Sequence, residues 1–319
     1  MIRILKWAFG MLLVAVIGLG FAYWTPDTDK AAMRAKYGGP TSQYVDLGGG
    51  LTVHVRDEGP RDAPVIVLLH GANASLHTWD AWAARLGKTH RIVRFDQIGH
   101  GLTGPAPDRN YSMAAFVDTV ERVTTKLGIA KFALGGGSMG GGVAWNYAVA
   151  HPERLSALIL VDAAGAPYPS EPPPPLVFRI VQTPAFTPVL LRITPRALVA
   201  AAARSAVVDP ATYSEASIDR TWELLRYPGN RAATVDWQKV ARVAATPAQM
   251  ATIAVPTLIL WGERDPQLPL WGARWFAQNI RGSELIVYPG VGHLPNEEVP
   301  QKSADDMAGW LAKTRDAKQ

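Results

Sequence analysis

Near the middle of its 319 residues the chain reads Phe132-Ala-Leu-Gly-Gly-Gly-Ser138-Met-Gly140. A short apolar run, typical of a strand, leads into glycines, and residues 139–150 have the length and spacing of a helix. Glycine two places before and after Ser138 is expected where a strand turns sharply into a helix, because side chains there would collide with the neighbouring strand and helix.

Such a turn would hold Ser138 in a strained backbone conformation, with its hydroxyl exposed above the partly positive end of a helix. The pattern therefore predicts a serine nucleophile. A structural glycine-rich turn is the alternative. A phosphate-binding loop would need Gly-Lys-Ser or Gly-Lys-Thr, which is absent here.

Predicted strands and helices alternate on both sides of this turn. The strands are predicted at 44–47, 51–56, 65–69, 91–95, 132–134, 157–161, 257–261 and 284–288, and the helices at 112–127, 139–150, 270–280 and 301–315. Continuous apolar runs such as Val65–Leu69 are typical of strands that are buried on both faces. The alternation predicts an α/β fold, with a mostly parallel sheet and helices on both of its faces.

One long segment interrupts the alternation. Residues 166–250 begin with a cluster of prolines, contain no convincing strand and have helical spacing. We therefore expect a helical cap over one end of the sheet. The predicted domains are a core of residues 44–165 and 251–319, the cap at 166–250, a polar linker with one short helix at 25–43, and an N-terminal segment at 1–24.

A serine becomes a nucleophile when a base removes its proton. In sheets of this kind the acid and the histidine follow later strands, in the chain order serine, acid, histidine. Asp265 follows the predicted strand 257–261 and His293 follows 284–288, so both should emerge at the same edge as Ser138. His293 would act as base and then acid, and Asp265 would orient the imidazole.

Two other carboxyl groups are alternatives to Asp265. Glu263 precedes it by two residues, and Asp162 follows the predicted strand 157–161.

The segment His70-Gly71-Ala72-Asn73 follows the predicted strand 65–69. Backbone N–H groups of Ala72 and Met139 are the expected pair of donors to an oxyanion. Gly71 would let the backbone approach the substrate. Asn73 is a candidate substrate contact, with a hydrogen bond inside its own loop as the alternative, and the whole segment could also be a plain strand-ending turn.

Five motifs together make the chain resemble the α/β-hydrolase family, and within it the capped esterases, lactonases and C–C-bond hydrolases. They are His70-Gly71, Asp96-Gln-Ile-Gly-His-Gly101, Gly-Gly-Ser138-Met-Gly140, Gly-Glu-Arg-Asp265 and Gly292-His293, and the resemblance covers about residues 44–313. It implies a structural role for the Asp96 loop.

Departures from the family patterns narrow the expected reaction. Family epoxide hydrolases and haloalkane dehalogenases use an aspartate nucleophile, whereas this chain has Ser138. Family C–C hydrolases usually carry a glycine-rich loop after His-Gly and a tryptophan after the catalytic histidine, where this chain has Ala72-Asn73 and Leu294.

The expected function is hydrolysis of a carboxylic ester or a lactone of a small, largely apolar substrate through an acyl-enzyme. C–C bond hydrolysis of meta-cleavage products and acyl transfer on the same triad are the alternatives. Residues 172–208 contain arginines but no acidic residue, which suits either a negatively charged group on an apolar substrate or ordinary helices with solvated arginines.

Composition excludes several other classes of function. The chain has no cysteine and no zinc-spaced cluster, so we expect no metal and no organic cofactor. Its net charge of +5 comes from scattered basic residues, so no nucleic-acid partner is expected.

The N-terminus predicts a membrane anchor. Trp7–Trp24 are 18 consecutive residues without a charge, behind Arg3 and Lys6. As a helix they would be about 27 Å long, enough to cross the hydrocarbon core of a bilayer. Basic residues before the span predict an extracytoplasmic catalytic domain, periplasmic in a Gram-negative bacterium. A cleaved signal peptide and a core or surface helix are the alternatives.

Overall fold

The computed structural model describes residues 7, 18, 20, 23–168, 187, 191–241 and 243–316. Within these residues eight strands form one sheet in the spatial order β1-β2-β4-β3-β5-β6-β7-β8. They are β1 Ser42–Asp46, β2 Thr52–Glu58, β3 Val65–Leu69, β4 Arg91–Phe95, β5 Phe132–Gly137, β6 Leu155–Val161, β7 Thr257–Gly262 and β8 Glu284–Tyr288. Strand β2 runs antiparallel to its neighbours β1 and β4, and all the other pairs are parallel.

The α-helices of the described residues are numbered here in chain order. They are α1 Lys30–Tyr37, α2 Asp80–Leu86, α3 Met113–Lys126, α4 Met139–Ala150, α5 Arg196–Arg204, α6 Glu215–Leu225, α7 Asn230–Lys239, α8 Pro247–Ala251, α9 Trp271–Asn279, α10 Pro295–Glu298 and α11 Pro300–Asp316. This order confirms the predicted alternation of strands and helices.

Helices cover both faces of the sheet. Side chains alternate along a strand, so neighbouring residues of β3 enter different cores. Val67 and Leu69 pack with residues of α3, α4 and α9. Ile66 and Leu68 pack on the other face with residues of α2 and α11. The predicted α/β architecture, with a mostly parallel sheet between two helical layers, is therefore confirmed.

Helices α5, α6 and α7 lie between β6 and β7 in the chain and contact loops at the carboxyl edge of the sheet. The side-chain amide of Asn230, at the start of α7, donates to the carbonyl of Gly101 at 3.0 Å. The backbone N–H of His293 donates to the carbonyl of Ala206 at 2.8 Å. These helices therefore pack over the edge where β5, β7 and β8 end.

The segment that precedes the core is bound to these same helices. Asp27 pairs with Arg192 at 3.0 Å and with Arg231 at 2.5 Å. Trp24 forms an isolated β-bridge with Ile193. Tyr37, at the end of α1, donates from its hydroxyl to Glu223 at 2.7 Å. The chain from Trp24 to Tyr37 is thus fixed to α6, α7 and the strand-like segment before α5.

The predicted anchor, Trp7–Trp24, lies mostly outside the described residues, as do the prolines at 172–175 and Arg179. In the part of the chain that the structure describes, no helix has both the length and the apolar character required to span a bilayer.

Candidate active site

Ser138 occupies the turn between β5 and α4. Its φ of 51° and ψ of −118° lie outside the usual regions for a residue with a side chain, a conformation that costs about 1–3 kcal/mol and is concentrated at functional sites. Its N–H donates to the carbonyl of Val161 at 3.0 Å, which continues the sheet ladder past the end of β5. Ser138 is partly exposed, whereas Gly137 and Met139 are buried.

The glycines on both sides of Ser138 stand where backbone atoms leave no room for a side chain. A Cβ on Gly136 would lie 2.2 Å from the carbonyl oxygen of Gly140, and a Cβ on Gly140 would lie 2.3 Å from that of Leu69. Both distances are far shorter than any van der Waals contact. The collisions expected from the sequence therefore involve the following helix and the neighbouring strand β3.

Asp265 and His293 form a buried pair at the same edge. The Nδ1 atom of His293 lies 2.7 Å from Oδ2 of Asp265. The other carboxylate oxygen of Asp265 accepts the N–H groups of Gln267 at 2.7 Å and Leu268 at 2.9 Å. Three donors thus hold this carboxylate in one orientation, with one oxygen facing the imidazole.

The alternative acids differ from Asp265 in their surroundings. Glu263 is exposed and accepts the N–H of Gly290 at 3.0 Å, so its carboxylate is engaged away from the imidazole. Asp162 is fully buried, and one of its oxygens accepts the N–H of Gly262 at 3.0 Å. Among these three carboxylates, only that of Asp265 is at hydrogen-bond distance from a ring nitrogen of His293.

The structure brings Ser138 against the loop that follows β3. A Cβ on Gly71 would lie 3.2 Å from Cβ of Ser138 and 3.8 Å from its hydroxyl oxygen. Within the described residues Ser138 and His293 are not joined by a hydrogen bond. Such contacts often shorten only when substrate binds.

The two expected oxyanion donors are available to bind a substrate oxygen. In the described part of the chain, the backbone N–H groups of Ala72 and Met139 donate to no protein acceptor. Gly71 and Ala72 are half-buried, and Asn73 is exposed with a φ of 56°. The amide oxygen of Asn73 accepts a long hydrogen bond of 3.4 Å from Thr234 of helix α7.

Glu298 is a residue that sequence analysis did not single out. Its carboxylate accepts the N–H groups of Gly292 at 3.0 Å and Leu294 at 3.2 Å, which flank His293. It also accepts the N–H of Val208, in the segment after α5, at 2.9 Å. Glu298 therefore fixes the histidine loop and ties it to the segment after α5, and only its position five residues after His293 could have hinted at this.

Three of the predicted cap arginines are paired with acidic side chains. Arg192 contacts Asp27, Arg196 contacts Asp219 at 2.5 Å, and Arg204 contacts Glu215. Their charges are balanced by acids outside the segment 172–208. These contacts favour the interpretation that the arginines are solvated residues of ordinary helices over the interpretation that they bind a negatively charged substrate.

Beneath the site lies a buried network centred on Asp96. Its carboxylate accepts from the N–H groups of Leu76 and Leu102, both at 2.8 Å, and lies 2.7 Å from Nδ1 of His54. Burial opposes ionisation, but the nearby histidines and the hydrogen bond from His54 hold the pKa of Asp96 below its usual range. These contacts agree with the structural role implied by the family resemblance.

Three histidines near Asp96 predict loss of stability in acid. Burial lowers the pKa of His70, and it lowers those of His77 and His100 to about 4 and about 3. Unfolding restores a pKa near 6.5, so between these values the unfolded chain binds more protons. The free energy of unfolding should therefore fall as pH falls below 6.5, by about 1.4 kcal/mol per pH unit for each histidine that stays neutral.

Urea denaturation at pH 7.5, 6 and 5 measures this effect. The variant His100→Gln removes one of the three groups and should give a shallower dependence on pH than the unmodified chain. A free energy of unfolding that is constant from pH 7.5 to pH 5 would contradict the prediction.

One carboxylate oxygen each of Asp162 and Asp265 and a ring nitrogen of His293 lie within 4.8 Å of one another. By residue type these three groups could hold a metal ion. However, Nδ1 of His293 is already at hydrogen-bond distance from Asp265, whose other oxygen binds two backbone N–H groups. This distance suits an imidazole that the carboxylate orients for proton transfer.

Comparisons with known proteins agree with this geometry. The family model described as "alpha/beta hydrolase fold" matches residues 64–300. Monoacylglycerol lipase abhd6-B of Xenopus laevis is 26% identical over 313 residues, covering 93% of this chain and 87% of the lipase. The 2-hydroxymuconate semialdehyde hydrolase of Pseudomonas sp. (strain CF600) is 25% identical over 288 residues, covering 88% and 97%.

Among solved structures, the chain is similar to 2-hydroxy-6-oxo-6-phenylhexa-2,4-dienoate hydrolase of Rhodococcus sp. strain RHA1. The TM-score is 0.73 at 23% identity, over 85% of this chain and 98% of that one. At this identity the likeness concerns the fold. The family model, which spans most of the core and includes the turn at Ser138, assigns the chain: it belongs to the alpha/beta hydrolase fold family.

Proposed function

We propose that this protein hydrolyses carboxylic esters, lactones included, of small and largely apolar substrates through an acyl-enzyme on Ser138. The observation that carries the proposal is the strained Ser138 turn at the same sheet edge as the buried Asp265–His293 pair. A partly exposed serine and a histidine held by a carboxylate are the nucleophile and the base that serine hydrolysis needs.

The candidate residues have separate roles in the proposed reaction, and His293 acts in turn as base and acid. Ser138 Oγ attacks the ester carbonyl while Nε2 of His293 takes its proton, and Asp265 stabilises the resulting imidazolium. The N–H groups of Ala72 and Met139 bind the oxyanion. His293 then passes the proton to the leaving alcohol, and a water molecule activated by the same histidine releases the acid.

The ion pairs of Arg192, Arg196 and Arg204 determine which substrates should be tested first. Because Arg192, Arg196 and Arg204 are neutralised by neighbouring acids, we propose uncharged acyl esters before anionic ones. The name of the Xenopus relative, a monoacylglycerol lipase that covers most of the chain, adds monoacylglycerols to the panel.

A fluorophosphonate probe followed by a substrate panel tests the proposal. We expect covalent labelling at Ser138 and turnover of p-nitrophenyl esters, monoacylglycerols or lactones. The panel includes a 2-hydroxy-6-oxo-dienoate, because the Pseudomonas relative is a semialdehyde hydrolase. Turnover of the dienoate with no ester cleavage would favour C–C hydrolysis, and transfer to an added alcohol would favour acyl transfer.

We expect ester hydrolysis to survive removal of metal ions. The proposed chemistry uses a proton-transfer pair and backbone donors, and the His293 nitrogen nearest the carboxylates is already hydrogen bonded. The measurement is activity after exhaustive EDTA treatment and dialysis, beside a mock-treated sample. A loss of activity that is restored by adding back a divalent metal would contradict this expectation.

We also propose that Trp7–Trp24 anchors the protein in a membrane, with the catalytic domain outside the cytoplasm. The charge-free run and the basic residues before it support this. The contacts of Trp24 and Asp27 with the segment before α5 and with α7 would then hold the cap close to the bilayer surface.

Fractionation and protease shaving of spheroplasts test the proposed anchor and its orientation. We expect the full-length chain in the membrane fraction, and cleavage of its catalytic domain by added protease. A chain lacking residues 1–22 serves as the control and should leave the membrane. Recovery of the full-length chain in the soluble fraction, or protection from protease, would contradict the proposal.

A further inference from the structure

Asp162 directly follows β6 and has no role in the reaction proposed above. Its side chain is fully buried. Oδ1 accepts the N–H of Gly262 at 3.0 Å, whereas Oδ2 has no hydrogen-bond partner among the described residues. Its φ of 41° lies in the left-handed region, which is uncommon for a residue other than glycine. A buried, strained carboxyl group with one unpaired oxygen requires an explanation.

The side chains of Asp265 and His293, which lie beside Asp162, account for this state. Oxygen atoms of Asp162 and Asp265 and a ring nitrogen of His293 lie within 4.8 Å of one another. Two buried carboxylates this close repel each other strongly, which favours a proton on one of them.

Hydrogen bonding decides which carboxyl group is neutral. Asp265 accepts from Gln267, Leu268 and His293, three donors that stabilise a negative charge. Within the described part of the chain, Asp162 accepts only from Gly262. The proton therefore belongs to Asp162, on the oxygen that has no donor.

The charges around Asp162 act in the same direction. Burial first, and then the negative charge of Asp265 with a smaller contribution from Glu298, raise the pKa of Asp162 well above its ordinary value. The phenol groups of Tyr168 and Tyr288 are also close enough to interact with Asp162 electrostatically.

We propose that Asp162 is a neutral carboxylic acid that donates its Oδ2–H to Asp265 and thereby sets the basicity of the Asp265–His293 pair. Asp162 is a positioning residue, and its role rests on the proposed function of that pair. A donor on Asp265 makes this carboxylate less basic and the imidazolium less stable. The donor on Asp265 therefore favours the neutral imidazole, which is the form that accepts the proton of Ser138.

Infrared difference spectroscopy tests where the proton is, and it needs no substrate. The difference between the unmodified chain and Asp162→Asn at neutral pH should contain the C=O band of one protonated carboxyl group. Asn is nearly isosteric and tolerates a positive φ, so this variant should fold. Absence of the band would overturn the proposal. A band in a protein without esterase activity would overturn the proposed function and leave the proton assignment intact.

The pH dependence of kcat/KM tests the effect on His293. Asp162→Asn retains an N–H donor toward Asp265 and should keep the acid limb in place. Asp162→Gly removes the donor but tolerates the positive φ, and its acid limb should move up by on the order of one pH unit, the size of one charge-assisted hydrogen bond. A glycine variant with lower kcat and an unmoved acid limb would show a merely structural role and overturn the inference.

Discussion

Ser138→Ala is expected to lower kcat for ester hydrolysis by a factor on the order of 10⁶, because a triad acts as a unit and loses nearly all of its effect with its nucleophile. The residual rate would come from the N–H groups of Ala72 and Met139 and from substrate binding. His293→Ala should cost about as much, since it removes the base. The double variant should be no slower than either single variant. Steady-state kinetics on the best ester of the panel gives these factors.

Two controls separate chemistry from folding. Ser156→Ala changes a serine in β6, whose first residues lie at the opposite edge of the sheet, and should retain full activity. Ser138→Ala should unfold at the same temperature as the unmodified chain, or a higher one, and should lose fluorophosphonate labelling. Activity near that of the unmodified protein in Ser138→Ala would overturn the proposed mechanism.

Asp265→Asn is expected to lower kcat by about 10⁴ while leaving the fold intact, the size seen when a triad histidine is held in the wrong tautomer. The geometry dictates how the new amide would lie. Only the amide oxygen can accept the N–H groups of Gln267 and Leu268. The NH₂ group of the new side chain would therefore face Nδ1 of His293. That ring nitrogen must then accept, which places the imidazole proton on Nε2 and blocks removal of the Ser138 proton.

Glu263→Gln is the matched control for this variant. Glu263 lies two residues away, is exposed and contacts Gly290, so its change should leave kcat nearly unaltered. If Asp265→Asn retained most of the activity while Glu263→Gln lost it, the assignment of the acid would be wrong. If both variants were active, the acid would have to be sought at Asp162.

Much of the fold follows from patterns that act over a few residues. The continuous apolar run Val65–Leu69 marks a buried strand, and the spacing from Ser112 to Leu127 marks a helix that the structure places at Met113–Lys126. The glycines at 136 and 140 predict the turn at Ser138 because their neighbours in space are also near in sequence or on the adjacent strand. For the same reason the sequence predicts the order of the candidate triad.

Contacts between loops of different strands could not be predicted in the same way. Glu263 and Asp265 follow the same strand, and it is the turn around Gln267 and Leu268 that aims one of them at His293. His77 is buried against α1, with a ring nitrogen 3.1 Å from the carbonyl oxygen of Tyr37, a contact between residues far apart in the sequence. The hydrogen bond from Val208 to Glu298 and the ion pair of Arg192 with Asp27 likewise join residues that are far apart along the chain.

The sequence alone therefore establishes the fold class, the turn at Ser138 and the candidate residues, because strand and helix periodicity and close backbone packing are local properties. The protonation of Asp162, the orientation of Asp265 and the attachment of residues 24–37 to α6, α7 and the segment before α5 arise in the folded molecule. They depend on which loops meet at the carboxyl edge of the sheet and on how many N–H donors each buried carboxyl group finds there. The order of β5, β6, β7 and β8 in the sheet determines which loops meet there and which N–H donors they offer.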